Sequence, residues 1–327
     1  MRIVITGGAG FLGRRLARAI LDRGALTDAK GQQRPVRELV LVDVVAGPSL
    51  SDPRVRSLTG DLADPGLAQH ALTPDTDSIF HLAAVVSGEA EANFDLGMRV
   101  NLDATRALLE RARLCIAPPK LLFASSLAVF GGALPDPVPD DAPVMPQSSY
   151  GTQKAIGELL VHDMSRKGFI DGRSLRLPTI TVRPGKPNKA ASSFASGIIR
   201  EPLAGIDAVC PVAPETRMWV QSPRAVIENL LIGHDAPSAR FGQSRAVNVP
   251  GISVAVGDMV GALRAVAGNA VADRVRWEYD PVIDRIVSTW PACFAPELGI
   301  ALGMRADRDF ESIVRGYMAD AMPAVAP

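Results

Sequence analysis

Apolar and polar residues follow two alternating periods along the first half of the chain. Short runs of apolar, often β-branched residues are separated by longer segments in which apolar residues recur every three or four positions. In the first of these segments Leu12, Leu16, Ala17 and Ile20 fall on one face, as in an amphipathic helix. The pattern predicts strands over 2–6, 38–43, 55–60, 78–82, 120–125 and 175–182, and longer helices over 91–113 and 150–167.

Strands that are apolar throughout are typical of a parallel sheet with helices on both faces. Because crossovers between parallel strands are right-handed, the element order predicts an α/β fold with a doubly wound, Rossmann-type sheet. The alternation weakens after residue 182, although 246–249 is a candidate for a last strand. We therefore expect a Rossmann domain formed by 1–182 and a returning segment at about 217–250, and a smaller C-terminal lobe formed by about 183–216 and 251–327.

The composition is that of an ordinary globular protein, and it argues against several kinds of partner. The 327 residues include 35 Lys and Arg and 35 Asp and Glu, so the formal net charge is zero. A neutral chain is not expected to bind nucleic acid or an anionic membrane surface. Neither an apolar run of 18 residues nor a signal peptide is visible, which favours a cytoplasmic protein without a membrane span.

The cysteines and histidines are scattered along the sequence. Cys115, Cys210 and Cys293 are odd in number and far apart, so we expect reduced thiols rather than disulfides. The four histidines have no spacing that is typical of a metal site. We therefore expect no bound metal.

A glycine-rich turn joins the first predicted strand to the first predicted helix. Gly7, Gly10 and Gly13 are spaced as G-x-x-G-x-x-G, with Phe11 and Leu12 inside the motif. Glycines permit a tight turn and a close approach of the backbone to a ligand, and the free N–H groups at a helix start attract phosphate. The position of the motif between strand and helix predicts a site for the pyrophosphate of a dinucleotide.

Two aspartates follow the next predicted strands. Asp43 ends the second strand, where a carboxylate can accept hydrogen bonds from ribose hydroxyls and repel a 2′-phosphate. No Lys or Arg occurs in the ten residues after Asp43, so NAD is favoured over NADP. Asp43 lies 30 residues after Gly13 rather than about 20, and the polar stretch 27–37 is a candidate for an inserted loop. Asp61 follows the third strand and is either a contact to the adenine amino group or an ordinary turn residue.

Tyr150 and Lys154 are four residues apart in a predicted helix, so they share one face. With three tyrosines and six lysines in the whole chain, this spacing is not expected by chance. An ammonium group stabilises phenolate, and we therefore expect Lys154 to lower the pKa of Tyr150 and make it a general base. Ser125 and Ser126 end the fifth predicted strand, at the edge where active sites of open α/β sheets lie, and can hold a substrate oxygen.

In this order the residues resemble the extended short-chain dehydrogenase/reductase family, which includes nucleotide-sugar epimerases and dehydratases. The resemblance covers mainly 1–185, and it rests on the glycine motif, Asp61-Leu62, His81-Leu82-Ala83-Ala84, Asn101, Ser125-Ser126-x-x-Val129-Phe130-Gly131 and Tyr150-x-x-x-Lys154. It implies NAD as cofactor, and it implies Ser126 rather than Ser125 as the catalytic serine beside Tyr150 and Lys154. It further implies cofactor contacts from the glycine motif (including Phe11 and Leu12), Asp43, Asp61, Leu62, Leu82, Ala83, Ala84, Asn101, Tyr150, Lys154 and Pro178.

Two features narrow the reaction within that family. Leu127 and Ala128 follow Ser126, whereas the 4,6-dehydratases of the family carry an Asp-Glu pair there, so dehydration is not expected. Segment 183–200 contains four cations and no carboxylate, which favours a small hydroxylated acid, although a diphosphate would also be attracted. A solvated basic loop is the plainer interpretation of this segment.

Segment 177–203 resembles a branch of the family that oxidises a four-carbon sugar acid. This likeness implies NAD-linked oxidation at C2 of D-erythronate to 2-oxo-tetronate. Arg217 also resembles the family's arginine on the substrate side, which precedes an aromatic-valine pair. The candidate substrate contacts are Ser126, Tyr150, Arg183, Lys186, Ser192, Arg200 and Arg217.

Alternatives remain at this stage. A nucleotide-sugar 4-epimerase would use the same Ser126, Tyr150 and Lys154, whereas a non-catalytic NAD-sensing regulator would not need the Tyr-Lys pair. The family usually forms homodimers through the two long helices predicted over 91–113 and 150–167. Leu102, Leu109, Ile156, Leu159 and Leu160 can serve either that interface or the core, and the sequence does not choose between the two.

Overall fold

The computed structural model describes residues 1–48, 50–185 and 190–321. Its core is a sheet of apolar strands that are buried on both faces. Ten strands form the two larger sheets: β1 (Arg2–Thr6), β2 (Glu38–Asp43), β3 (Val55–Thr59), β4 (Ser78–His81), β5 (Lys120–Ser126), β6 (Asp171–Leu177), β7 (Thr179–Ile180), β8 (Arg217–Gln221), β9 (Ala246–Asn248) and β10 (Ile252–Ala255).

The central sheet has seven parallel strands in the order β9-β6-β5-β4-β1-β2-β3. The strand order reverses at β1, and loops on either side of such a reversal diverge to leave a crevice at the carboxyl ends of the strands. The predicted doubly wound, Rossmann-type sheet is confirmed.

Helices cover both faces of this sheet. Leu16 of the first helix and Leu230 of the eighth pack on one face, and Leu108 and Val161 pack on the other. The helices are α1 (Phe11–Arg23), α2 (Pro65–Ala71), α3 (Ser87–Ala92), α4 (Phe94–Gly97), α5 (Ala104–Ala112), α6 (Ser149–Arg166), α7 (Phe194–Leu203), α8 (Pro223–Asp235), α9 (Val256–Ala267), α10 (Asn269–Ala272), α11 (Pro281–Val287), α12 (Glu297–Ala301) and α13 (Phe310–Ala321). No helix among the described residues is both long enough and apolar enough to cross a membrane.

A smaller lobe has its own sheet and its own apolar core. Strand β8 pairs with β7 in parallel and with β10 in antiparallel orientation. Met218 and Val220 of β8 pack against Ile198 of α7 and Met259 of α9. Of the predicted returning segment, β9 joins the central sheet, whereas β8 joins the sheet of the lobe. The division of the chain into two domains at the expected boundaries stays a prediction.

Two predicted elements are divided in the structure. The strand expected over 175–182 ends at Leu177, and β7 belongs to the other sheet because Pro178 lacks the N–H that a ladder needs. The helix expected over 91–113 is interrupted, since Asn93 caps α4 and the turn Met98–Asp103 is a π-helix. The predicted insertion over 27–37 contains one strand of a hairpin formed by Ala25–Thr27 and Gln33–Pro35.

Candidate active site

A cavity of about 920 Å³ lies at the carboxyl edge of the central sheet. It is lined by residues at or just after the ends of β1 to β6, and by residues of the smaller lobe. The structure brings these sequence-predicted residues into its lining: Gly7, Gly10, Phe11, Leu12, Gly13, Asp43, Asp61, Leu62, Leu82, Ala83, Ala84, Ser126, Tyr150, Lys154, Pro178, Arg183, Ser192 and Arg217.

The glycine turn has the geometry that a phosphate site requires. Gly7 has a φ of +71°, and a Cβ on Gly13 would lie 2.1 Å from the carbonyl oxygen of Gly7, so neither position tolerates a side chain. Gly10 caps α1 without a side-chain hydrogen bond, and the first turn of the helix contains no acidic residue. The first N–H groups of α1 are therefore available to an anion, which fits the pyrophosphate of NAD.

The two predicted carboxylates differ in the partners that their oxygens already have. Asp43 ends β2, and its Oδ2 accepts a hydrogen bond from the backbone N–H of Ala9 at 3.0 Å, which ties the strand to the glycine turn. Asp61 already accepts a hydrogen bond from Ala63 N at 2.9 Å and forms an ion pair with Arg99. Asp43 Oδ1 also accepts a long hydrogen bond from Val45 N at 3.4 Å, so Asp43 differs from Asp61 chiefly in having no arginine paired with it among the described residues.

Asn101 is placed behind the cavity rather than in its lining. It lies in the π-helical turn and is 1% exposed. Its Oδ1 accepts from Val85 N at 2.8 Å, and its Nδ2 donates to Val85 O at 3.1 Å and to Gln153 Oε1 at 2.7 Å. In this geometry Asn101 fixes the loop that lines the cavity, and the direct cofactor contact implied by the family resemblance stays a prediction.

Tyr150 and Lys154 share the first turns of α6. The helix is capped by Ser148, whose Oγ accepts from Gly151 N at 3.1 Å. The Nζ of Lys154 lies 5.7 Å from the centroid of the Tyr150 ring and donates to Ala124 O at 2.8 Å. Ser126, at the end of β5, is close enough to Tyr150 to lower the pKa of its phenol. The structure thus assembles the predicted Ser-Tyr-Lys cluster at the cavity wall.

The predicted effect of Lys154 on the Tyr150 phenol is wrong for the protein alone. Burial raises the pKa of Tyr150 to about 12, and the neighbouring hydroxyl of Ser126 offsets only part of this rise. Burial also lowers the pKa of Lys154 to about 8, against an opposing effect of Glu158. Loss of hydration disfavours both charged forms, so the spacing of the two residues is not sufficient to produce phenolate.

The basic residues predicted on the substrate side differ in position. Arg183 and Arg217 line the cavity together with Ser192. Burial and the charge of Arg200 lower the pKa of Arg183, and no carboxylate among the described residues contributes to that shift. Arg200 itself donates to Arg183 O at 2.7 Å and to Glu201 Oε1 at 2.5 Å, and it does not line the cavity. Arg200 thus supports the Arg183 backbone, and its expected substrate contact stays a prediction. Lys186 lies outside the described residues.

Some residues of the site were not anticipated from the sequence. Trp290 follows α11 and lines the cavity together with Ser87, Thr179 and Trp219. Since they come from a helix start, two strands and a loop, no local spacing joins them. Glu158 forms an ion pair with Arg176 behind the cavity. Its place near the site could have been predicted, because it lies one helical turn beyond Lys154.

Comparisons with known proteins agree with this architecture. The model of the NAD dependent epimerase/dehydratase family matches residues 3–217. A D-erythronate dehydrogenase of Cupriavidus necator is 59% identical over 98% of this chain and 99% of its own length. A D-erythronate dehydrogenase of Haemophilus influenzae is 45% identical over 97% of this chain and 99% of its own length.

A solved structure with the same fold is named an epimerase, whereas the two relatives above are named dehydrogenases. The nucleoside-diphosphate-sugar epimerase from Agrobacterium tumefaciens superposes with a TM-score of 0.90 at 42% identity, over 98% of this chain and 94% of that one. The family match spans the glycine turn and the Ser-Tyr-Lys cluster, and it ends at Arg217, the first residue of β8. The resemblance inferred from the motifs is confirmed, and the chain belongs to the NAD-dependent epimerase/dehydratase family.

Proposed function

We propose that this protein is an NAD-dependent dehydrogenase that oxidises the C2 hydroxyl of D-erythronate to 2-oxo-tetronate. The observation that carries the proposal is the similarity, along almost the whole chain, to two D-erythronate dehydrogenases. The cavity adds a physical reason, because Arg183 lines it together with Ser126 and Tyr150.

Arg183 is the proposed anchor for the substrate carboxylate. Its side chain loses hydration in the cavity wall, and its charged neighbour among the described residues is a second cation, Arg200. A guanidinium in this setting gains from a ligand that brings a negative charge and two acceptor oxygens. Ser192 and Arg217 line the same cavity and are proposed to contact the remaining oxygens. Lys186 is kept in this set on its sequence alone.

The proposed chemistry takes place at the Ser-Tyr-Lys cluster. When bound, oxidised NAD supplies the hydride acceptor and a positive charge. Ser126 and Tyr150 hold the C2 hydroxyl, and Tyr150 Oη accepts its proton. Because the pKa of Tyr150 is about 12 in the protein alone, the phenol needs the positive charge of Lys154 and of the cofactor to become a base.

A direct assay of NADH formation tests this proposal. The purified enzyme is mixed with NAD and one compound from a panel of C4 to C6 aldonic acids and UDP-hexoses, and absorbance at the NADH band is followed. D-erythronate is expected to give the fastest net reduction of NAD. Equal or faster reduction with a six-carbon acid would contradict the assignment of substrate.

A nucleotide-sugar 4-epimerase is the second candidate, and it is favoured by the name of the superposed structure. Such an enzyme uses the same cluster but regenerates its NAD, so it produces no net NADH. Conversion of a UDP-hexose to its 4-epimer, without any change in NADH absorbance, would favour this alternative.

We also propose that the enzyme is a cytoplasmic homodimer. All three cysteines are free thiols, as expected in a reducing compartment. Leu109 is 1% exposed in the core, whereas Leu159 of α6 is 67% exposed and Phe94 of α4 is 58% exposed. Apolar side chains left exposed on these helices are suited to a partner subunit. Light scattering should give a dimer mass for the wild type and a monomer mass for Leu159→Glu.

A further inference from the structure

A buried chain of polar side chains lies behind the wall of the active-site cavity. Ser125 lines the cavity, and its Oγ donates to Glu158 Oε1 at 2.5 Å. Arg176 holds the same carboxylate in a fork, through Nε at 3.0 Å from Oε1 and through a second nitrogen at 2.8 Å from Oε2. Glu158 is 7% exposed and Arg176 is 6% exposed. A carboxylate held at both oxygens by these hydrogen bonds has a single orientation.

Glu158 lies one helical turn beyond Lys154 on α6, so the two side chains project from the same face. The other titratable or charged groups around the ammonium are Tyr150 on the same helix and His81 at the end of β4. His81 is buried and uncharged, because burial and the charge of Lys154 lower its pKa to about 3. Among the described groups, Glu158 is therefore the acid that offsets the cost of burying the ammonium.

We propose that Glu158 is a positioning residue, whose carboxylate, oriented by Ser125 and Arg176, keeps the ammonium of Lys154 charged beside Tyr150. This inference rests on the proposed function only in that a charged Lys154 is what the phenol needs in order to lose its own proton and act, as phenolate, as the base. Arg176 has two opposing effects on the interaction between Glu158 and Lys154. It fixes the direction of the carboxylate, and its own positive charge limits the strength with which Glu158 holds the ammonium.

The charge on Lys154 can be measured without any substrate. The chain contains six lysines, so lysine labelled with ¹³C and ¹⁵N gives a small set of side-chain NMR signals that can be followed against pH. Lys154→Arg and Lys120→Arg identify the two buried lysines by loss of a signal. Both are expected to titrate near pH 8 in the wild type, since burial lowers the pKa of each to about 8.

Glu158→Gln keeps the shape of the side chain and removes its charge. We expect the titration midpoint of Lys154 to fall by about one pH unit or more, and Glu158→Asp to restore most of the wild-type value. Lys120, at the opposite end of β5, is the internal control and should keep its midpoint. An unchanged Lys154 midpoint in Glu158→Gln, or an equal shift of Lys120, would overturn the proposal.

A second variant covers the case in which Glu158→Gln does not fold. Glu158→Gln with Arg176→Met removes both buried charges and keeps the volumes similar, which buried pairs often tolerate. The Lys154 midpoint should again fall, by less than in the single variant, and a midpoint at or above the wild-type value would contradict the proposal. None of these titrations needs turnover, so the test of Glu158 does not depend on D-erythronate being the substrate.

Discussion

The two ends of the central sheet carry similar side chains but differ in access. At the carboxyl end, Ser126 closes β5 beside Tyr150 and the buried Lys154, and all three line the cavity. At the amino end, Lys120 is the first residue of the same strand. It is 2% exposed, and it donates a hydrogen bond to His234 O at 3.0 Å. Each end thus has a buried lysine with a pKa lowered to about 8.

The amino end also contains a hydrogen-bonded serine, histidine and aspartate. Ser78 Oγ lies 2.6 Å from His234 Nε2, and His234 Nδ1 lies 2.9 Å from Asp235 Oδ1. This connectivity is that of a hydrolase triad. Ser78 and His234 are both 0% exposed, and neither residue lines a described cavity. Without access for a substrate the cluster can only stabilise the fold.

The difference teaches that connectivity alone does not make an active site. At both ends of the sheet, polar side chains form short hydrogen bonds, and burial lowers the pKa of a lysine, Lys154 at one end and Lys120 at the other. Only the carboxyl end opens to a cavity whose lining also includes a glycine turn for phosphate and a cationic Arg183 for a carboxylate. We therefore assign catalysis to the carboxyl end and stability to the amino end, and this division can be tested.

The matched pair of lysines gives the largest expected contrast. Lys154→Met should lower turnover by roughly 10²- to 10³-fold, because it removes the positive charge that stabilises the Tyr150 phenolate, the form that accepts the proton. Lys120→Met should leave turnover unchanged and lower only the free energy of unfolding. Steady-state assays with D-erythronate and urea titrations on both variants check this, and loss of turnover in both would remove the contrast.

Removal of His234 tests the amino end by itself. His234→Leu leaves Ser78 and Asp235 without their partner and removes a ring that stacks 4.9 Å from Phe80. We expect a loss of about 2–3 kcal/mol in the free energy of unfolding, as is usual when buried polar groups lose a partner. Turnover at a temperature where the variant is folded should equal that of the wild type. A stable variant with impaired turnover would show that the closed cluster has a part in catalysis.

Arg183→Met should act mainly on substrate binding. The loss of a charge-assisted contact to the carboxylate is expected to raise KM for the sugar acid by about 10- to 100-fold, with a smaller effect on kcat. Arg224→Met is a matched control, because that arginine is exposed and pairs with Asp320 at the surface. Affinity for NAD, measured by calorimetry, should be the same in both variants. An unchanged KM in Arg183→Met would remove this residue from the substrate site.

Acid should weaken the fold through two buried histidines. His81 ends β4, and His234 is hydrogen-bonded to Ser78, the first residue of that strand. Burial lowers the pKa of His81 to about 3 and that of His234 to about 4. Below pH 6.5 these two histidines bind protons in the unfolded chain but stay neutral in the folded protein. The free energy of unfolding therefore decreases as the pH falls from 6.5 to 4. At pH 5.5 each histidine should cost about 1.4 kcal/mol. Urea titrations of wild type and His234→Leu should differ in this slope, and parallel curves would contradict the effect.

Local features of the fold could be predicted from the sequence, whereas properties set by long-range packing could not. The glycine turn, Asp43 and the Tyr150-Lys154 pair depend on short spacings, and the structure brings all of them to one cavity. The raised pKa of Tyr150 depends on burial, and the engagement of Arg200 with the Arg183 backbone depends on the fold of the lobe. The end of β6 before Pro178 could have been predicted from the sequence, since proline lacks the N–H that the hydrogen bonds of a strand require.

The most direct test of the account is the rate of NADH formation from D-erythronate by Tyr150→Phe, measured beside its affinity for NAD. Phenylalanine keeps the ring and removes the oxygen that accepts the proton. We predict that turnover falls by orders of magnitude, roughly 10²- to 10⁴-fold, while the Kd for NAD stays close to that of the wild type. Turnover equal to that of the wild type would contradict the assignment of catalysis to this end of the sheet.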